Sequence, residues 1–210
     1  WENYPIAWRQ LPFAKFYANT VYIVAMNIIG TTISSSMAAF GFSRMRFRGR
    51  DTLFLVVLST MMLPRQVTMV PLFIIFSRLG WVDTFKPLVV PAFFGAAFNV
   101  FLLRQFFMTI PHELDDAAMI DGCTKFGTFV RIMLPLSKMA LGVTAIFSFT
   151  YHWNDFMSPL IYLSSRDKFT IQIGLRQFQT DISMDMGAIM AMSIVALIPQ
   201  LVVFFFAQRY

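Results

Sequence analysis

Apolar residues fill the chain in five long blocks separated by short polar stretches. The blocks run over residues 16–42, 52–76, 87–108, 139–163 and 184–207. Each reaches the ~20 residues that a helix needs to cross the hydrocarbon layer of a bilayer. Three blocks carry a flaw. Pro64, Arg65 and Gln66 break the second, Trp153, Asn154 and Asp155 interrupt the fourth, and Pro199 lies inside the fifth. The alternating pattern of a membrane β-barrel is absent. The chain therefore reads as an all-α membrane protein, a polytopic helical bundle of five spans. With no Ser- or Gly-rich linker and no low-complexity tract, it forms a single domain over 1–210.

Composition strengthens this picture. The 210 residues are 57% apolar and 17% aromatic, and only 13% charged. A soluble domain carries roughly 25% charged residues and cannot hide so much apolar surface. The net charge of +6 falls between the apolar blocks, which points to membrane topology and lipid headgroups and not to nucleic acid. Residues 43–50 hold four arginines, Arg44, Arg46, Arg48 and Arg50. Short basic loops stay in the cytoplasm. Alternation then places loop 113–138 and Arg209 in the cytoplasm, and the N-terminus and the loops near Gly80 and Asp167 outside. Over all loops the bias is thin, nine Lys/Arg inside when Arg104 near the inner end of the third block is counted, against seven outside, with Arg65 within a span, so the first loop decides the orientation.

Candidate chemistry is sparse. A single cysteine, Cys123, excludes an internal disulfide and a multi-cysteine metal site. His112 and His152 lack carboxylate or thiol partners at ligand spacing, and no metal site is expected. No Gly-Lys-Ser/Thr occurs, so the chain has no phosphate-binding loop of its own. Small residues gather at 34–39 and 95–97 and suit close helix packing in lipid.

The longest polar interruption is loop 112–135. Pro111 suits the approach to a helix. Glu113, Asp115 and Asp116 follow in a first turn, where carboxylates favour the positive end of the helix dipole. Leu114, Ala117 and Ala118 recur at i, i+3, i+4 and form a small apolar stripe. Gly122 can take the left-handed conformation that ends a helix. A second helix from about Thr124 puts Phe126, Phe129, Val130 and Met133 on one face, and Pro135 turns the chain into the next span. Two short amphipathic helices joined by a glycine turn make a peg for another protein or a pair of helices lying on lipid.

The spacing Asp116-Ala117-Ala118, three residues, Gly122, nine residues, Ile132, one residue, Leu134-Pro135 resembles the "EAA…G…I-LP" signature of ATP-binding-cassette importer permeases. Asp116 stands where that family usually has Glu. Other segments resemble the same family in order along the chain: Phe40-Gly41-Phe42-Ser43-Arg44 running into Arg50, Pro64 and Gln66 with Pro71, Phe101-Leu102-Leu103-Arg104-Gln105-Phe106-Phe107, and Trp153-Asn154-Asp155-Phe156 with Pro159-Leu160. They point to carbohydrate-uptake permeases of the maltose and glycerol-phosphate type. The resemblance implies the transmembrane domain of a type I importer in a bacterial inner membrane. It implies a second permease as heterodimer partner, two cytoplasmic ATPase subunits that bind ATP and Mg, and an extracytoplasmic solute-binding protein. This chain would hold no cofactor and be no enzyme. Loop 113–135 would dock on the ATPase, with Asp116 and Asp121 positioning it, Gly122 shaping its turn, and Phe126 and Phe129 anchoring it. The family usually has six spans here. The first is expected upstream of Trp1, which is not Met, and the end at Tyr210 is also abrupt.

Ionisable groups at membrane depth are costly and face a watery cavity or a partner. Arg65, Gln66, Trp153, Asn154 and Asp155 are therefore candidates for a translocation pathway with hinges at Pro64 and Pro159. The same residues equally suit pairing with a partner subunit or a place nearer the outer interface. Two other classes stay open. An ion-coupled secondary transporter or channel would use Arg65 and Asp155 and need no ATPase. An intramembrane enzyme would need a metal cluster or a nucleophile–base pair, and neither occurs.

Overall fold

In the computed structural model, residues 3–180 and 186–208 are described. Helix α1 spans Asn3–Gln10, α2 Phe13–Arg44, α3 Arg50–Ser59 and α4 Arg65–Arg78. Then come α5 (Lys86–Val89), a 3-10 turn (Val90–Phe94) and α6 (Ala97–Thr109). The expected two-helix unit is α7 (Glu113–Ile120) and α8 (Lys125–Thr128), continued by a π turn (Phe129–Met133) and α9 (Leu134–Leu136). The chain closes with α10 (Lys138–Trp153), α11 (Met157–Tyr162), α12 (Ile171–Thr180) and α13 (Met186–Ala207). Among the described residues, three segments are long and apolar enough to cross a membrane: Phe13–Arg44, Lys86–Thr109 and Met186–Ala207. The count reaches five when each of two bent pairs is one span. The chain is a multi-pass helical membrane protein. Met184 and Asp185 of the expected fifth span, and Arg209, lie outside the described residues.

Helix α2 is the axis of the bundle. At ~1.5 Å per residue, its 32 residues extend ~48 Å, more than a bilayer core. Its packed face changes character along its length. At one end Phe13, Phe16 and Val24 join Ala7, Leu11, Trp153, Ile171, Phe178 and the small residues Ala188, Ala191 and Ala196 of α13 in one core. At the other end Ala39 and Phe40 join Leu103, Phe107, Phe129, Met133 and Ala140 in a second. Between the cores the face is polar and small. Asn27 Nδ2 donates to Leu88 O at 2.9 Å, Ser34 Oγ donates to Ala92 O at 2.9 Å, and Ser35 Oγ accepts from Ala96 N at 3.1 Å. These bonds satisfy the backbone of residues 87–96, where the third block is broken and not a continuous helix. Gly95 takes φ +86° there, outside the helical region. Irregular backbone at membrane depth must find such partners, because lipid offers none. The cluster at 34–39 thus does more than permit close approach.

The second block is bent more sharply than one span would be. Pro64 forces Leu63 into an extended conformation, and the helices on either side diverge by 99°. The fourth block breaks at the expected place, after Trp153. Asp155 Oδ1 accepts from Ser158 N at 3.1 Å and holds the start of α11.

The arginine rule names the two ends of the bundle inner and outer. Loops expected on the same side do meet. At the outer end Asp83 Oδ1 accepts from the amides of Ser164 and Ser165 at 3.0 and 2.9 Å, and its Oδ2 receives Lys168 Nζ at 2.8 Å. Asn19 Nδ2 donates to the carbonyls of Asp167 and Phe169, and Lys15 pairs with Asp167 at 2.8 Å. Asp83 holds φ 58°, a conformation that Asp tolerates better than most residues. The bond from Lys168, then those from Ser165 and Ser164, hold the Asp83 carboxyl well below the usual carboxylate range. A depressed folded-state pKa stabilises fully above the unfolded value of about 4 and is lost only as pH falls through the depressed value. The melting difference between the wild type and Asp83→Asn should therefore be flat from about pH 5 to 8 and shrink below about pH 4. A difference that grows on acidification would contradict this.

Two amphipathic helices, α1 and α12, were not expected from the apolar blocks. α12 lies against α2 and α13, burying Ile171, Ile173, Gly174 and Phe178. A Cβ on Gly174 would sit 2.5 Å from the fully buried Phe16 ring. Gly174→Val should cost about 1–3 kcal/mol by overpacking. Thermal unfolding in detergent would register it, and an unchanged midpoint would refute the contact.

Candidate functional site

The inner end carries the unit built from loop 112–135. Helix α7 starts after Pro111 with Glu113, Asp115 and Asp116 in its first turn. It ends as Gly122 adopts φ +80°. Cys123 N bonds to Ala118 O at 2.8 Å and Gly122 N to Met119 O at 3.1 Å, the paired bonds of a glycine-terminated helix. Thr124 then caps α8, its side chain accepting from Gly127 N at 3.1 Å. Pro135 lacks the amide that would bond Arg131 O. The chain widens into the π turn Phe129–Met133 just before it, as expected where an α-helical bond cannot form.

The π turn rotates the second helix's side chains away from a single face. Phe129 and Met133 are buried, with the Phe129 ring 5.1 Å from that of Phe40. Phe126 is 67% exposed and Val130 42% exposed. Phe129 thus anchors the unit, while Phe126 points out. On α7 the expected stripe also divides. Ala118 and Asp115 are buried, and Leu114 and Ala117 are exposed. Asp116, Asp121 and Pro135 are exposed, while Ile132 and Leu134 are half-buried. The outward face presents Leu114, Met119, Phe126 and Ile120, the last 87% exposed.

Sequence reading left out what lies beneath. Arg44, the last residue of α2, has a guanidinium almost wholly buried against Asp115, with Nη1 3.0 Å from Asp115 Oδ2. Nη1 also lies 2.9 Å from His112 Nδ1, and Nη2 donates to the carbonyls of Phe107 and Ile110. Arg44 stood among four arginines read for topology, and nothing in the sequence links it to a carboxylate 71 positions away.

The polar residues of the second and fourth blocks part company. Arg65, Gln66 and Asp155 line a cavity of about 1180 Å³ with Asn27, Thr31, Trp81, Tyr151 and His152. Arg65 Nη2 lies 3.9 Å from Asp155 Oδ2 and 3.2 Å from Ser158 Oγ, and its guanidinium stands 4.8 Å from the Tyr151 ring centre. These two charges therefore meet within the chain. Trp153 and Asn154 do not line the cavity. Trp153 is 2% exposed, stacks on Phe149 at 5.4 Å and donates from Nε1 to Ala196 O at 3.0 Å. Asn154 Oδ1 accepts from Gln200 at 2.7 Å. Both lock α10 to α13. No cluster of three or more His, Cys, Asp or Glu able to hold a metal occurs among the described residues.

Residues 30–210 match the family described as "Binding-protein-dependent transport system inner membrane component". The arabinooligosaccharides transport system permease protein AraQ of Halalkalibacterium halodurans is 37% identical over 195 residues, 93% of this chain and 70% of that protein. The probable ABC transporter permease protein YurM of Bacillus subtilis is 35% identical over 210 residues, 100% of this chain and 70% of that protein. A solved bacterial ABC transporter for import of the acidic polysaccharide alginate shares the fold. Its chain superposes with a TM-score of 0.90 at 23% identity, covering 99% of this chain and 78% of that one. With its helical spans, its two-helix unit and these likenesses, the chain belongs to the family of binding-protein-dependent transport system inner membrane components.

Proposed function

We propose that this chain is one permease subunit of an ATP-driven importer in a bacterial inner membrane, and that it forms half of the pathway for a sugar or sugar-like solute. A second permease completes the pathway. Two ATPase subunits, which bind ATP and Mg, work from the cytoplasm, and a solute-binding protein delivers from outside. The observation that carries this reading is the set of exposed apolar side chains, Leu114, Met119, Ile120 and Phe126, on a polar unit that Ala118, Phe129 and Met133 bury on its other side. A partner's groove would take these side chains as it takes those of a docked helix. ATP-driven closure of the ATPase dimer would move the unit as a rigid body and reverse the opening of the cavity.

The sugar assignment rests on the AraQ likeness and on the character of the cavity. Trp81 and Tyr151 offer ring faces, and Gln66 and His152 offer hydrogen bonds. A few placed polar groups among aromatic walls suit a polar ligand with apolar faces. One observation favours a second reading. The Arg65–Asp155 pair in the cavity would suit an ion-coupled transporter working without an ATPase.

Tagging the chain in its native host and identifying what purifies with it separates the two. Recovery of a second permease and an ATPase, with transport into proteoliposomes only when ATP is supplied, supports the importer. Purification alone, with uptake driven by an ion gradient, overturns it.

A further inference from the structure

Arg44 occupies a junction that the coupling reading leaves without a role. Its partners come from two other elements. Phe107 and Ile110 offer carbonyls at the C-terminal end of α6, and His112 and Asp115 belong to the start of α7. Arg44 itself closes α2. The end of a helix leaves carbonyls without intrahelical partners and carries partial negative charge, so a buried cation there is favourable. The carboxylate of Asp115 adds the countercharge. The fork of the guanidinium serves both sides at once: Nη2 holds α6, and Nη1 holds α7. The bond to Asp115 is single, since Arg44 Nε and Asp115 Oδ1 have no partner. A lysine ammonium has no such fork, and its compact charge cannot reproduce the separate bonds of Nη1 and Nη2.

Burial makes this junction stiff. The Arg44 and Asp115 side chains are 2% and 11% exposed. Parting them without water would leave two uncompensated buried charges, a costly state. Helix α7 therefore does not tilt independently of α2 and α6. Helix α2 in turn passes the cavity at Asn27 and Thr31 and reaches the outer loops at Asn19. A displacement of α7 thus has a continuous, stiff route to the cavity wall.

We propose that Arg44 is a positioning residue for transport: with Asp115 it fixes α7 to α2 and α6, so that movement of the coupling unit becomes movement of the cavity wall. This rests on the proposal that α7 meets an ATPase.

The test uses the complex purified through the tagged chain, with Cys123→Ser and spin labels at exposed Lys125 and Met37. Their separation is measured in the resting state and after trapping with ATP and vanadate. The wild type should show one narrow distance, the same in both states. Arg44→Met and Asp115→Asn should keep the ATPase bound yet show a broad, nucleotide-dependent distance, with transport per ATP falling on the order of tenfold. Arg44→Lys should lie between. A purely structural role would change yield and leave the distance and the transport ratio alone. Asp115→Asn keeps side-chain volume and the bonds of Arg44 to α6, so it gives the answer if Arg44→Met does not insert. A narrow distance and normal coupling in the variants would overturn the role of Arg44 and leave the importer reading standing. A nucleotide-dependent distance in the wild type would overturn it too. Absence of any ATPase from the wild-type complex would sink both.

Discussion

Gly122→Val is expected to cut ATP-driven transport on the order of ten- to a hundredfold while the chain still inserts in the membrane. Gly122 holds φ +80°, where a Cβ meets the following carbonyl and a β-branched residue is a genuine outlier. Nothing lies within 4 Å of a Cβ built there, so the effect is conformational and not a clash with neighbours. The strain of about 1–2 kcal/mol is small beside the stability of the bundle. It is large for the four-residue turn, 121–124, between α7 and α8. The turn would relax towards negative φ, the bonds from Cys123 to Ala118 and from Gly122 to Met119 would open, and the placement of α7 relative to Phe126 of α8 would change. A coupling loss on the order of ten- to a hundredfold is expected. Gly122→Asn gives the control, because Asn tolerates the left-handed region. It should keep most of the transport. ATP-driven uptake in vesicles, scored beside the amount of inserted chain, checks both variants. Equal activity in Val and Asn variants would show that the conformation at Gly122 does not matter.

Trp153→Ala is expected to cost about 3–5 kcal/mol of stability, the range for removing a large buried aromatic. Trp153 is 2% exposed and touches Phe149 and Tyr17, with ring centres 5.4 and 5.5 Å away. Its indole also ties α10 to Ala196 of α13. Trp153→Phe should keep the stacking and lose about 1 kcal/mol, the net worth of one hydrogen bond. Chemical denaturation in detergent would give the order wild type, Phe, Ala. Had Trp153 served the pathway, the Phe variant would instead keep stability and change transport.

These variants mark where sequence reading succeeded and stopped. The five apolar blocks were legible because lipid demands long, nearly uncharged segments. The break after Trp153 was legible because a polar triplet there cannot continue an apolar helix. The turn at Gly122 was legible because few residues other than glycine end a helix in that way. The side of the bundle that each polar residue faces was not. Trp153, Asn154 and Asp155 are consecutive, yet two pack on α13 and one meets Arg65. That choice depends on the direction of α10, which starts after a 79° bend between Leu136 and Lys138 that periodicity does not register. α12 escaped because Gln172, Arg176 and Gln177 dilute its hydropathy, although its buried residues follow a helical face. Arg44 escaped because charge counting treats a loop arginine as a topology signal. Only the meeting of α2, α6 and α7 shows that this one is buried.

A photo-crosslinking amino acid in place of Ile120 tests the central claim most directly, with the same group at Phe94 as control. Both positions are more than 80% exposed, at 87% and 84%. Ile120 ends α7 of the two-helix unit, and Phe94 lines the cavity. In the assembled complex, irradiation should join the chain to the ATPase from position 120 and not from position 94. An assembled complex that yields no ATPase adduct from position 120, or yields it from position 94, would contradict the account.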